Sequence, residues 1–405
     1  MVCFDAAKAA KLAAEGQAVV LVRPETKPDD IHGIIAAVGV VTSRGGVTSH
    51  AAVVTRGLGK PSIVGCEEIQ VDLEAAMFTV GDKTVREGER ISMDGASGSI
   101  YLGELDTIQP SLEGLPEANE LLRWADEERR LGVMANADTP ADATQALIMG
   151  AEGIGLCRTE HMFLDPNRLP AVRQMLLNAE AAEAWRREND DRVFHVGYEP
   201  GAPEAVKDFY DALDQVKQLQ TGDFGGILRV MGSRPVIIRL LDAPLHEFLP
   251  PYEALLSELL ELRHSGAPQA AIEEKEMFLH LVDSLRESNP MLGHRGCRLG
   301  LSFPAIYRMQ VEAIITAGAL LVREGLDVNP EIMIPLTVDA EEMHRLREDL
   351  SLVASQVQER YGAKVHYMFG TMIETPRAAL TAGEIAKESE FFSFGTNDLT
   401  QMAFG

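Results

Sequence analysis

The sequence predicts an α/β protein with a small β/α domain followed by an incomplete (β/α)8, TIM-type barrel. Residues 1–105 alternate short apolar runs with glycines, which is typical of a compact β/α unit. From residue 131 to residue 405, short apolar runs alternate with longer amphipathic helices, a pattern that favours a parallel sheet. The charged segment 106–130 predicts a linker that is helical from about residue 118 to residue 130.

In the first domain, strands are predicted where short apolar runs are bounded by glycine or polar residues. These runs are residues 18–22, 39–41, 62–65 and 90–102.

Seven apolar runs follow the linker, so the predicted barrel stops one unit short of eight. Residues 189–233 interrupt the alternation with a polar loop and a helix around 203–219, which we interpret as an insertion. The runs are 132–135, 153–157, 236–241, 291–294, 332–336, 367–373 and 391–395.

The segment between the fourth and fifth runs predicts an amphipathic helix that ends near Gly325. Its apolar stripe is formed by Ile306, Met309, Ala313, Ala317 and Leu320.

Composition limits the class of partner. The chain has 405 residues, 46% hydrophobic and 24% charged, which gives room for two or three globular domains. The formal net charge of −25 argues against nucleic acid as a partner, because phosphate backbones are bound by clustered lysines and arginines. A few placed arginines can still hold a small phosphate ligand.

Neither a membrane span nor an export signal is indicated. The sequence contains no apolar run of about 18 or more residues, and residues 1–16 lack an apolar signal core. The four cysteines lack metal-site spacing, so we interpret them as reduced thiols of a cytoplasmic protein. They are Cys3, Cys66, Cys157 and Cys297.

A glycine-rich loop with a histidine occupies residues 42–57. Two glycines allow the backbone a tight turn, and Thr48 or Ser49 can cap a helix that places His50 in its first turn. Free N–H groups there favour an anion, and a neutral imidazole is a competent nucleophile near neutral pH. The residue pattern alone also fits a buried or capping histidine.

Polar side chains follow several of the barrel runs, where the carboxyl ends of parallel strands converge on one face. For each of them, an alternative is a salt bridge that closes the barrel mouth. Arg295 could instead brace the site together with Arg298 and Glu160. The candidates are Arg158, Arg239, Arg295, Glu374, Gly395, Thr396, Asn397 and Asp398.

These side chains form a coherent chemical set. Glu374 and Asp398 are hard oxygen ligands suited to Mg²⁺. Arg158 and Arg239 can fork to phosphoryl oxygens. The Asn397 side chain and the backbone of residues 395–396 could hold a substrate carboxylate.

Residues 45–66 closely resemble the swivelling phosphohistidine domain of the phosphoenolpyruvate-utilising enzymes. The resemblance implies that His50, which follows Thr-Ser, carries a phosphoryl group. In the pyruvate phosphate dikinase branch, the residue matching Thr48 is a regulatory phosphorylation site, although a helix cap is the alternative here. A phosphate on Thr48 would add about two negative charges beside His50 and oppose its phosphorylation.

Five barrel motifs resemble the pyruvate phosphate dikinase branch, and the resemblance covers nearly the whole chain. They are residues 155–163, 242–250, 289–298, 370–377 and 394–401. By this resemblance, the residues that hold phosphoenolpyruvate or pyruvate with Mg²⁺ are Arg158, Arg239, Glu374, Thr396, Asn397 and Asp398.

The implied reaction converts ATP, phosphate and pyruvate into AMP, pyrophosphate and phosphoenolpyruvate. The resemblance also implies an ATP-grasp domain upstream and a homodimer formed through the barrel. No part of this sequence matches the ATP-grasp domain, and none of its four cysteines matches the acid/base cysteine motif of the family. We therefore expect this chain alone not to complete the reaction.

The sequence leaves two alternatives open. An enzyme I-type phosphoenolpyruvate-protein phosphotransferase would pass the phosphoryl group from the histidine to a carrier protein. An inactive fragment would bind phosphoenolpyruvate or a partner without turnover. The sequence preceding the histidine domain distinguishes the first alternative from a dikinase, and ligand binding by the folded chain tests the second.

Overall fold

The computed structural model describes residues 1–26, 30–46, 55, 59–106, 116–165, 167–189, 201–284 and 293–405. Two compact units are present, residues 1–122 and residues 123–405.

The first unit contains a parallel sheet with the strand order β1-β2-β3-β4. Successive residues of β2 alternate between two cores: Val20 and Val22 pack in one, and Leu21 packs in the other. Burial on both faces explains why these strands are continuous apolar runs. The strands are β1 (Val2–Cys3), β2 (Val20–Arg23), β3 (Gly39–Thr42) and β4 (Ser62–Ile63), with helices α1 (Ala6–Ala14) and α2 (Ile31–Ala36) between them.

Antiparallel strands complete this unit. Phe78, Val85 and Ile91 from these strands pack in the same core as Val20 and Val22. A three-stranded sheet is formed by β5 (Gln70–Asp72), β6 (Met77–Val80) and β7 (Lys83–Arg86), and a hairpin by β8 (Ile91–Asp94) and β9 (Ser99–Leu102).

The helix predicted at about residues 118–130 is present as α3 (Pro116–Glu128). Its apolar residues Leu121, Leu122 and Trp124 are exposed.

The second unit contains six parallel strands whose order in the sheet follows the chain, with helices between most neighbouring strands. This arrangement is that of a curled half-barrel, and it confirms the predicted α/β class. The strands are β10 (Met134–Asn136), β11 (Gly153–Arg158), β12 (Pro235–Arg239), β13 (Asn329–Ile334), β14 (Met368–Ile373) and β15 (Phe391–Phe394).

Twelve helices accompany this sheet in the described residues of the second unit. They are α4 (Pro140–Ile148), α5 (Thr159–Phe163), α6 (Leu169–Asn189), α7 (Glu204–Met231), α8 (Tyr252–His264), α9 (Gln269–Ser284), α10 (Cys297–Ser302), α11 (Pro304–Arg323), α12 (Ala340–Tyr361), α13 (Pro376–Leu380), α14 (Ala382–Ile385) and α15 (Thr396–Phe404).

The predicted strand at residues 291–294 is wrong. Its described residues, Gly293 and His294, are not in a strand, and β12 pairs directly with β13 from Pro235↔Asn329 onward. The position beside β12 is therefore occupied. An apolar run indicates burial, but it does not say whether a sheet has room for another strand.

Helix α7 is longer than predicted and buries 11 of its 28 residues, including Phe209, Phe224 and Leu228. It packs against α6, α11 and α4. The described part of the segment that we interpreted as an insertion therefore contributes to the main hydrophobic core. Its helix lies in the connection between β11 and β12.

Helix α11 buries most of the predicted stripe, but Leu320 is 41% exposed and Leu321 is 3% exposed. The buried face continues from Ala317 through Ala319 to Leu321, so the last leucine of the core is Leu321 and not Leu320. The helix is long and apolar enough to cross a membrane. However, 67% of its apolar stretch is buried within this unit, as in a core helix of a globular domain.

Candidate functional site

The carboxyl ends of the six parallel strands lie along one edge of the sheet. Arg158 and Arg239 are the last residues of β11 and β12, Glu374 follows β14, and residues 395–398 follow β15, whereas Arg295 lies just before α10. Arg158 pairs in register with Arg239, and Ile373 pairs with Phe394. Glu374 and Gly395 therefore follow neighbouring strands at adjacent positions. Strand pairing brings these residues of distant sequence number side by side.

The Asp242 carboxylate forms the centre of the site. It is buried, and it accepts hydrogen bonds from Arg295 Nε (3.1 Å, Oδ1) and Arg295 Nη2 (2.8 Å, Oδ2). Arg239 Nη1 lies 3.0 Å from the same Oδ2. Burial raises the pKa of Asp242, and the two guanidinium groups oppose that shift. The carboxylate therefore fixes the positions of two arginines.

Arg239 has a second carboxylate partner, Glu160 in the first turn of α5. Burial disfavours the charge on Arg239, but Asp242 and Glu160 outweigh that effect and raise the pKa of the guanidinium. Glu160 Oε2 and Arg239 Nε are buried without a hydrogen-bond partner among the described residues. Such atoms are costly to leave unpaired, so they indicate a ligand or water at this position.

Arg158 is the last residue of β11, and its backbone N–H donates to Asp138 Oδ1 at 2.6 Å. Asp138 Oδ2 lies 2.7 Å from His161 Nδ1. Within the described ranges, no side chain is bonded to the Arg158 guanidinium. This half-buried cation is therefore available to an anionic ligand.

Glu374 is 1% exposed, and its Oε1 accepts a hydrogen bond from the backbone N–H of Leu336 at 2.6 Å. Leu336 has a φ of +59°, which is unusual for a bulky residue and stores strain. Cys297 Sγ donates to the Leu336 carbonyl at 3.1 Å. A strained turn thus presents a backbone donor to a buried carboxylate.

Burial raises the pKa of Glu374, and together with the negative charges of Asp242 and Asp398 it brings the pKa to about 7, while the Leu336 N–H and Arg239 oppose this shift. A cation beside these carboxylates would reverse that shift. Mg²⁺ commonly uses one or two carboxylates and takes its other ligands from water and substrate. Glu374 and Asp398 fit that requirement, although the described residues hold no group of three or more His, Cys, Asp or Glu side chains that could bind a metal.

Gly395 allows α15 to begin close to Glu374. A Cβ atom on Gly395 would lie 2.5 Å from Glu374 Cβ and 2.8 Å from Glu374 Oε2. Thr396 and Asn397 are exposed in the first turn of α15, and Asp398 Oδ2 lies 3.9 Å from Arg295 Nη2. The start of this helix therefore meets the arginine–carboxylate cluster only because residue 395 has no side chain.

The structure thus brings Arg239, Arg295, Glu374 and Asp398 together around Asp242. Arg295 bonds Asp242, whereas Glu160, which we had considered as its brace, bonds Arg239. Sequence reasoning placed Asp242 in a family-like motif but assigned it no role. Its position three residues after β12 was the available signal.

The buried cysteines near the strand ends are poor candidates for acid/base chemistry. Burial raises the pKa of both Cys157 and Cys297, so these groups stay protonated thiols.

His50 and Thr48 lie outside the described residues. At the described base of their loop, Thr42 Oγ1 donates to the Arg44 carbonyl at 2.7 Å. Gly45 and Gly65 both have positive φ, and a Cβ on Gly65 would overlap the Gly45 carbonyl oxygen. This close approach of two backbones requires glycine at residue 65.

Two family models match the chain. Residues 15–98 match the mobile domain of PEP-utilising enzymes, and residues 113–405 match their PEP-binding domain.

The chain is also similar to curated pyruvate, phosphate dikinases. That of Entamoeba histolytica is 45% identical over 404 residues, which is 100% of this chain and 42% of the relative. The chloroplastic dikinase 1 of Arabidopsis thaliana is 47% identical over 100% of this chain and 38% of its own length. The dikinase of Clostridium symbiosum is 45% identical over 99% of this chain and 42% of its own length. The chain thus spans about two fifths of the length of these relatives.

We expect Gly395→Ala to weaken divalent-cation binding by about tenfold, because the added methyl group must displace Glu374. Mn²⁺ titration followed by EPR measures this. Gly383→Ala is the matched control, since a Cβ there meets nothing within 4 Å. Equal Mn²⁺ affinity in both variants would contradict a role for Glu374 in cation binding.

We expect Glu374→Gln to stabilise the cation-free protein at pH 8 by about 2 kcal/mol and to have little effect at pH 5. The folded protein keeps the Glu374 proton up to about pH 7, whereas the unfolded chain loses it near the ordinary glutamate pKa of 4.5. Wild-type stability therefore falls as pH rises through this window, and the neutral amide does not titrate.

Urea unfolding at the two pH values, without divalent cations, measures the difference. Glu384→Gln changes an exposed glutamate of α14 and should stay within about 0.5 kcal/mol of wild type. A pH-independent effect of Glu374→Gln would show that its carboxyl group is not strongly perturbed.

Proposed function

Because this chain belongs to the phosphoenolpyruvate-utilising enzymes, we propose that its second unit interconverts pyruvate and phosphoenolpyruvate by exchange with a phosphohistidine. The overall reaction that we propose is that of pyruvate phosphate dikinase. Residues 1–105 would carry the phosphoryl group on His50, residues 106–130 would link the domains, and residues 131–405 would hold pyruvate. The observation that carries this proposal is the Asp242-centred cluster of arginines and carboxylates within the region matched by the PEP-binding model.

The described residues support separate roles for the arginines and the carboxylates of the site. Arg239 and Arg158, paired in register on neighbouring strands, would hold the phosphoryl oxygens. Asp242 would keep the Arg239 and Arg295 side chains oriented before the substrate arrives. Glu374 and Asp398 would hold Mg²⁺, which supplies positive charge to the phosphoryl and carboxylate oxygens.

The phosphoryl group would move from His50 to the enolate oxygen of pyruvate. Pyruvate loses a methyl proton to give the enolate, and the enolate oxygen attacks the phosphorus atom. The P–N bond to His50 breaks as the new P–O bond forms, and the imidazole nitrogen takes up one proton to return to its neutral state, which balances the proton that pyruvate loses. We assign the methyl proton to neither Cys157 nor Cys297, because both thiols are buried and have raised pKa values.

The substrate carboxylate would meet Asn397 and the backbone of residues 395–396 at the start of α15. A cytoplasmic location, a homodimer through the barrel, phosphoryl supply by an ATP-grasp domain and control through Thr48 are further parts of the proposal. The enzyme I-type alternative has less support, since the similar proteins that cover the whole chain are described as dikinases.

We expect phosphoenolpyruvate labelled in its phosphoryl group to label the wild-type protein in the presence of Mg²⁺ and to leave His50→Ala unlabelled. Acid-labile, base-stable label on gel-separated protein is the measurement. His344→Ala, which changes an exposed histidine of α12, is the matched control and should label like wild type.

Equal labelling of wild type and His50→Ala would remove His50 from the scheme. No labelling, together with no binding of oxalate and Mg²⁺ by folded protein in calorimetry, would favour the inactive fragment.

A further inference from the structure

The backbone from Arg239 to Asp242 carries two members of the ion-pair cluster, one at each end. The strand ladder continues only to Leu240, whose N–H donates to the Met333 carbonyl at 3.0 Å. Past that point, side chains of α11 replace the neighbouring strand. Gln310 Oε1 accepts from the Leu241 N–H at 2.8 Å, and the Tyr307 hydroxyl donates to the Leu241 carbonyl at 2.9 Å.

Tyr307 and Gln310 are both fully buried on the same face of α11, three residues apart. Buried polar side chains are costly unless they are bonded, and an apolar core would not need them. Their hydrogen bonds satisfy both the N–H and the C=O group of Leu241, the residue directly before Asp242. The pair therefore fixes the direction in which the chain delivers that carboxylate.

Tyr307 also contacts α10, the helix that follows Arg295 in the chain. Its ring lies against Gly300 of α10 so closely that a Cβ on Gly300 would overlap the ring. Helix α10 begins at Cys297, two residues after Arg295. One side chain thus lies between the backbone that carries Asp242 and the helix that follows Arg295.

We propose that Tyr307 and Gln310 are positioning residues that set the distance between the Asp242 carboxylate and the guanidinium groups of Arg239 and Arg295. By doing so they set the affinity of the site for a small dianion. Among the described residues, neither side chain is hydrogen-bonded to a predicted substrate-binding residue, so we expect their effect on binding to pass through Asp242. The identity of the dianion rests on the proposed function, whereas the positioning effect exists without any ligand.

The test is Tyr307→Phe, which keeps the ring against Gly300 and removes only the hydroxyl group. In ligand-free protein labelled with ¹⁵N-arginine, we expect the Arg295 Nε–H signal to shift and to exchange with water faster than in wild type. With Mg²⁺ present, oxalate should bind about tenfold more weakly. Mn²⁺ affinity measured without oxalate should not change, because Glu374 and Asp398 are untouched.

Tyr210→Phe is the matched control, because it removes a hydroxyl group from an equally buried tyrosine of α7. It should leave both the Arg295 signal and oxalate affinity unchanged even if stability falls. Gln310→Met removes the partner of the Leu241 N–H and serves as the second variant if Tyr307→Phe does not fold.

An Arg295 signal and an oxalate affinity equal to those of wild type in the folded variant would overturn the proposal. Equal losses in Tyr307→Phe and Tyr210→Phe would do the same, because they would indicate general destabilisation. If wild type binds no oxalate, the proposed function is contradicted, while the ligand-free arginine signals still decide the positioning role.

Discussion

The buried Asp242 carboxylate between the guanidinium groups of Arg239 and Arg295 is the interaction on which the site depends. Two guanidinium groups in a partly buried position repel each other, and a carboxylate between them removes most of that repulsion. Glu160 adds a second negative charge on Arg239. Neither arginine could stay desolvated and aimed at the same space without these partners, because an unpaired buried charge is strongly destabilising.

Negative charges of the site disfavour the ionised form of Glu374. Its pKa rises to about 7 because burial and the charges of Asp242 and Asp398 disfavour another anion. A cation with a bound dianion would satisfy both halves of the site, the carboxylates and the arginines. The empty site is therefore less stable than a neutral one would be, which is a common cost of binding sites. Strain at Leu336 and the required absence of a side chain at Gly395 belong to the same arrangement.

The sequence predicted the α/β class and the six strands of the second unit, because each strand is a short apolar run, and β13 and β14 are buried on both faces. It predicted the site candidates because parallel strands must end on the same edge. It could not predict which charges pair, since Asp242 and Arg295 are 53 residues apart and meet only through packing. Leucine carries no signal for a positive φ, so the role of Leu336 also required the structure. The strand predicted at 291–294 was wrong for a related reason. Residues of β13 pair with β12 at that position, and the local sequence carries no information on which segment pairs there.

The most direct test of this account is a double-mutant cycle on the unfolding free energy, made from Asp242→Ala, Arg295→Ala and the double variant. We predict that Asp242→Ala alone costs about 3–5 kcal/mol, because it leaves two buried guanidinium groups facing each other. Removing Arg295 as well should recover part of that loss, so the double variant should be less destabilised than the sum of the single variants. Additive costs would contradict the claim that Asp242 holds the arginines of the site in place.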